Sequence, residues 1–95
     1  MTEFPDFHGP HIGPHRPDAE LVEWREPEPR FERVRIRRHT CDCKARILEL
    51  CTAAGVAWVR KTDRLEGASL VWESRPRKAD EAEILWKKLL TGQAR

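Results

Sequence analysis

Asp42-Cys43-Lys44-Ala45-Arg46-Ile47-Leu48-Glu49-Leu50-Cys51-Thr52-Ala53-Ala54-Gly55 is the stretch on which the fold turns. Its apolar side chains Ile47, Leu48, Cys51 and Ala54 recur at the three- and four-residue spacing of one helix face. Asp42 is a favoured N-cap residue, and Gly55 stands where helices commonly end. The spacing predicts a helix from Asp42 to Ala54.

Upstream, Arg30 to His39 alternates, with Val34 and Ile36 pointing one way and Arg33, Arg35 and Arg37 the other. Period two with β-branched residues inside predicts a half-buried strand. Downstream, Val56 to Thr62 reads as a strand, Asp63 to Ala68 with Gly67 as a hairpin loop, and Ser69 to Glu73 as the returning strand. Asp80 and Glu83 resemble a capping box opening a second helix with Ala82, Leu85, Trp86 and Leu89 on its inner face. Lys87 and Lys88 suit the end of that helix, and Gly92 stops it. Ala19 to Arg25 reads as a short edge strand with Val22 and Trp24 on one face, broken by Pro27 and Pro29. The expected architecture is α+β in the order (β)β-α-β-β-α, a small antiparallel sheet with two helices on one face.

The 95 residues divide by composition. Residues 1–29 form an acidic arm rich in proline and histidine, expected to be partly disordered, and residues 30–95 form a globular domain. The arm holds seven acids against Arg16 and Arg25, whereas residues 30–95 carry a net charge of +7. An acidic arm can attract its own basic body as readily as an outside ligand. A unit of about 60–70 residues is near the lower limit for standing alone, which favours a second subunit or a metal. Met1 to Asp6 has neither the positive nor the apolar region of a secretory signal, and no apolar run approaches the length that spans a bilayer. With an odd number of cysteines, Cys41, Cys43 and Cys51, reduced thiols in a cytoplasmic protein are expected.

Three residue sets carry candidate chemistry. The first is His39, Cys41 and Cys43, which would share a face in a continuing strand and could act as zinc ligands. Cys51, on the predicted helix, would lie about 12 Å along the axis, so a further ligand would have to come from the arm or from a second subunit. The arm holds His8, His11 and His15, a spacing that invites a metal reading but in a flexible arm reads first as a solvated tail or a strap laid on a partner subunit. Small buried cysteines at a strand–helix junction are the plainer reading, and then no cofactor is required. The second set is the basic stripe Arg33, Arg35 and Arg37 with Arg60 and Lys61, a surface that could hold nucleic-acid phosphates. The third is Trp24, Trp58, Trp72, Trp86 and Leu89, apolar anchors for a homodimer contact. No phosphate loop, nucleophile elbow or metalloprotease helix is present, and a non-enzymatic protein is expected.

The segments His39-Thr40-Cys41-Asp42-Cys43, Glu49-Leu50-Cys51 and Trp58-Val59-Arg60, followed by Leu85-Trp86, Leu89-Leu90 and Gly92-Gln93-Ala94-Arg95, resemble a family of small paralogous actinobacterial proteins. Members of such sets sit beside helix-turn-helix regulators, the setting of the BldB-like small regulators. The resemblance covers residues 39–95 and assigns no functional residue. It implies an accessory protein of developmental or transcriptional regulation that works by contact with a protein partner, such as a transcriptional regulator. The arginine-rich composition fits a high-GC genome.

Overall fold

The structure, a computed structural model, describes residues 9–30, 32–41 and 43–95. The predicted first helix is a strand. The described residues form β1 (Arg35–His39), β2 (Arg46–Ala53), β3 (Val56–Leu65) and β4 (Ala68–Glu73), then a helix, α1 (Ala79–Leu90). The sheet is an antiparallel meander in the order β1-β2-β3-β4. The class is α+β as expected, but among the described residues one helix, not two, covers the sheet. Asp42, the expected cap of the first helix, lies outside the described residues.

The reason lies in two residues. Ala54 has φ +50° and Gly55 φ +82°, the pair of positive angles that a two-residue hairpin turn requires. Gly55, which resembled a helix end, is the second residue of that turn. Ala53 therefore pairs with Val56, and the register runs unbroken to Arg46 opposite Asp63. Alternation then sorts β2 onto two faces. Leu48 and Leu50 join Ala57, Val59, Ala82, Leu85, Trp86, Leu89 and Ala94 in a core under α1. Cys51, Ala53 and Trp58 form a second cluster on the opposite face. Because both faces are buried, the strand's apolar residues also satisfy a helical spacing, and periodicity alone cannot separate the two.

The second cluster is closed by the chain leading into β1. The Arg30 guanidinium lies 3.7 Å from the centroid of the Trp58 ring, and Val34 packs alongside. Arg30 is held there by an ion pair of 3.0 Å to Glu73, whose side chain is buried. Glu73 also accepts hydrogen bonds from Trp58 Nε1, 3.1 Å, and from the Glu28 backbone amide, 3.3 Å. One buried carboxylate thus ties β3, β4 and the incoming chain together.

β1 carries a bulge between Ile36 and Arg38. A bulge re-aims side chains, and here Arg37 bonds Thr52 Oγ1 at 3.1 Å while Arg38 reaches Glu83 of α1 at 3.0 Å. The helix begins after Lys78, which supplies no side-chain cap. Asp80 instead lies inside the first turn and accepts from the Glu81 amide, and Glu83 is engaged by Arg38, so the expected capping box does not form.

Residues 19–25 are not a strand. Glu20 and Arg25 make isolated bridges to Ala94 and Glu73. The described part of the arm, residues 9–29, is nonetheless tied to the body. The Gly13 amide donates to the Leu90 carbonyl, Arg16 to Gly92, Glu20 to Gln93 and Val22 to Arg95. The first of these satisfies a carbonyl that the end of α1 leaves unpaired. Gly92, at φ +78°, is required there, because a Cβ at this position would lie 1.9 Å from the Pro14 carbonyl oxygen. Ile12, Val22 and Trp24 pack against the main core. Residues 1–8 lie outside the described residues.

Two outcomes test this account by thermal unfolding. Ala54→Asn relieves a non-glycine residue of a left-handed conformation and should stabilise the protein by about 1 kcal/mol. Glu73→Ala leaves Arg30 and Trp58 Nε1 without their acceptor and should cost about 3 kcal/mol.

Candidate metal centre

β1 ends at His39, and residues 43–45 turn before β2 begins. Thr40 is locked between the two strands: its amide donates to the Leu48 carbonyl and its Oγ1 accepts from the Leu48 amide, both at 2.9 Å. That pair of hydrogen bonds fixes Cys41, which is buried. The Cys41 amide then donates to the Pro10 carbonyl at 2.9 Å, and Gly9 lies so close that a Cβ would come 3.2 Å from the His39 carbonyl oxygen. The arm is thereby laid across the site with His11 beside the thiols.

His11 Nε2 is 3.4 Å from Cys43 Sγ, and the Cys43 amide donates to Cys41 Sγ at 3.4 Å. The ligating atoms of His11, Cys41 and Cys43 all lie within 4.8 Å of one another. A tetrahedral zinc ion with Zn–S of about 2.3 Å and Zn–N of about 2.0 Å sets its ligands roughly 3.6–3.8 Å apart. The His11–Cys43 separation of 3.4 Å is close to that spacing, and the Cys41 thiol lies within 4.8 Å of both. Two sulfurs and an imidazole are the donor set that zinc prefers among divalent ions.

Of the expected triplet His39, Cys41 and Cys43, the two cysteines come together and His39 does not. The strand does not continue past His39, so the alternation that would have aligned the three is lost. His39 is exposed and its Nδ1 bonds the Thr40 carbonyl at 3.0 Å. His11 takes its place. A further ligand from the arm or from a second subunit is expected beside His39, on the ground of Cys51 lying on a helix that is in fact a strand, and the choice of His11 depends on the Pro10–Cys41 hydrogen bond, for which the sequence carries no signal. His8 lies outside the described residues.

The thiols differ in character. Cys43 is exposed, and its pKa is raised by the Cys41 thiol beside it and by partial desolvation, with Lys44 opposing. Cys51 is on the other face of the sheet, fully buried, and burial pushes its thiol up to about 11. Beside the site, His11, Ile12, Thr40, Cys41, Lys44 and Arg46 line a cavity of about 260 Å³.

The other expected residues are dispersed. Trp58, Trp86 and Leu89 are 0%, 2% and 3% exposed and are used up in the chain's own cores, so they offer no outer contact. Trp24 and Trp72 are half-buried. Arg60 is paired with Glu49 at 2.9 Å, and Lys61 lies over the Trp24 ring at 4.4 Å, on the opposite face of the sheet. Arg33, Arg35 and Arg37 stay together and line one cavity. No described helix is long and apolar enough to cross a membrane.

Comparisons with protein-family models, curated proteins and solved structures found no match.

Alkylation separates the thiols. In metal-free, folded protein treated with iodoacetamide, Cys43 should be labelled and Cys51 should stay unlabelled until denaturant is added. Peptide mass mapping reads the order, and early labelling of Cys51 would contradict its place inside the sheet.

Proposed function

We propose that the protein is a small, non-enzymatic interaction domain whose N-terminal arm is latched to the sheet by a zinc ion held on His11, Cys41 and Cys43. The observation that carries this reading is the convergence of those three ligands from two parts of the chain about thirty residues apart. A domain of this size gains much from such a staple, because binding to the folded state alone adds to its stability. The ion would join the arm to the β1–β2 connection at the same end where Pro10 and Cys41 already share a hydrogen bond.

A catalytic thiol is the competing reading of a cysteine beside a histidine. A nucleophilic cysteine depends on a lowered pKa, and that of Cys43 is raised. The acids near the sheet are also engaged: Glu73 with Arg30, Glu49 with Arg60, Asp63 with Arg46 and Glu83 with Arg38. None of these pairs leaves a carboxylate poised for proton transfer. Homodimerisation, cytoplasmic location and an accessory role in bacterial regulation belong to this same proposal. With three of the five anchor residues buried, a dimer contact would fall on apolar side chains that stay exposed, such as Ile36, Leu65, Leu70 and Ile84.

Native mass spectrometry of the purified protein tests the latch. The expected result is one zinc per chain, lost with a chelator and absent from the Cys43→Ser and His11→Ala variants. Removing zinc held at 1,000 times its Kd should lower stability by about 4 kcal/mol. Exchange at the Gly13 and Arg16 amides should quicken on chelation. A metal-free protein with unchanged stability and arm protection in chelator would sink the proposal.

A further inference from the structure

At the opposite end of β1 from the cysteines, Arg33, Arg35 and Arg37 line a cavity of about 320 Å³ together with Thr52, the Ala54–Gly55 turn and Ala79. We propose that this cavity binds a phosphate group, through guanidinium groups left unpaired by the carboxylates of the described residues. The inference is independent of the metal centre and uses none of its residues.

The distribution of ion pairs is the first argument. Arg30, Arg38, Arg46 and Arg60 each have a carboxylate within 3.0 Å. Among the described residues, no hydrogen bond or ion pair engages the side chains of Arg33 and Arg35, and the Arg37 side chain bonds only the neutral hydroxyl of Thr52. Three like charges around one cavity repel each other, and an anion between them removes that cost. Guanidinium groups are suited to the role because their planar fork bonds phosphate oxygens in pairs.

The backbone explains why the charges converge. Alternate residues of an extended chain share a side, which places Arg33 with Arg35. The same alternation carries Arg37 to that side, and the bulge between Ile36 and Arg38 re-aims Arg38, which turns to α1 and is neutralised by Glu83. The acid on the helix is therefore occupied by the arginine outside the cavity. The start of α1 reaches the rim at Ala79, and its first-turn amides lack a side-chain cap from Lys78. Asp80 and Glu81 lie in that turn and oppose an anion, but neither lines the cavity.

The lining also defines what is recognised. Among the described residues it contains no aromatic side chain, and Trp58 and Trp86 are buried elsewhere, so those residues offer no platform there for stacking a base. Phosphate oxygens are the recognised chemistry, whether carried by a small phosphorylated molecule or by a nucleic-acid strand.

The two sources are separated by titrating the full chain with inorganic pyrophosphate by calorimetry and with a fluorescent single-stranded oligonucleotide by anisotropy. The expected result is saturable binding of pyrophosphate, weakened at least tenfold by Arg35→Glu and by Arg37→Glu and unchanged by Arg75→Glu, an exposed arginine outside the cavity. If the oligonucleotide also binds, is displaced by pyrophosphate and shows a log–log salt slope of about −2, as three contacts to a single strand imply, the phosphate belongs to a strand. If only pyrophosphate binds, it belongs to a small molecule. Circular dichroism confirms that each variant is folded. Absence of binding by either probe at millimolar concentration, or equal losses for Arg35→Glu and Arg75→Glu, overturns the proposal.

Discussion

Ala54 and Gly55 both hold positive φ, and most of the molecule depends on the hairpin they close. A two-residue turn leaves one register for β2 on β3, and a slip of one residue would exchange the faces of every side chain in the strand. In the observed register Leu48, Leu50, Ala57 and Val59 meet α1, while Cys51, Ala53 and Trp58 fall on the far side. The far side would expose a tryptophan and a thiol unless something covered it. Arg30 does so, at the cost of bringing a guanidinium into a dry place, and Glu73 offsets that cost with its charge. The turn therefore dictates where Glu28, Arg30 and Val34 lie, and with them the point at which β1 can begin.

The arm obeys a second constraint at the other end of α1. The last carbonyls of any helix lack partners within it, and here the Gly13 amide satisfies that of Leu90, while the residues beyond pair with the chain terminus. Gly92 lets the two segments approach because no side chain intervenes. The hydrogen bonds position the arm, and Ile12, Val22 and Trp24 add apolar cover to the core. His11 reaches the cysteines as a consequence of this docking. The geometry of the candidate metal centre is thus set by helix termination as much as by the sulfur ligands.

These dependencies explain what the sequence makes legible. β3, β4 and α1 announce themselves because each has one buried face or a plain turn signal, and the buried set Ala82, Leu85, Trp86 and Leu89 on α1 is the expected one. β2 is ambiguous in principle. A strand buried on both faces loses its alternation, and Ile47, Leu48 and Cys51 satisfy a helix equally well. Alanine in a left-handed turn position conceals the hairpin that Asn-Gly would have advertised. At the candidate site the cysteines are visible as ligands, but the third donor comes from Pro10 pairing with Cys41 across about thirty residues. Backbone pairing between irregular segments leaves no periodicity to read.

Charge placement follows the same logic of faces. An alternating stretch of arginines reads in sequence as a uniform stripe, but the bulge in β1 divides it into unlike members. Arg38 turns to Glu83 and becomes part of the fold, tying the edge strand to the helix. Arg60 and Lys61, adjacent in β3, point to opposite faces and are engaged by Glu49 and Trp24. Arg33, Arg35 and Arg37 remain, gathered by the strand geometry and unmatched by any described carboxylate. In a chain whose net charge is only +2, that local excess is not explained by composition. It arises because the acids are committed to particular arginines by the fold, which leaves one end of the sheet basic while the molecule as a whole stays close to neutral.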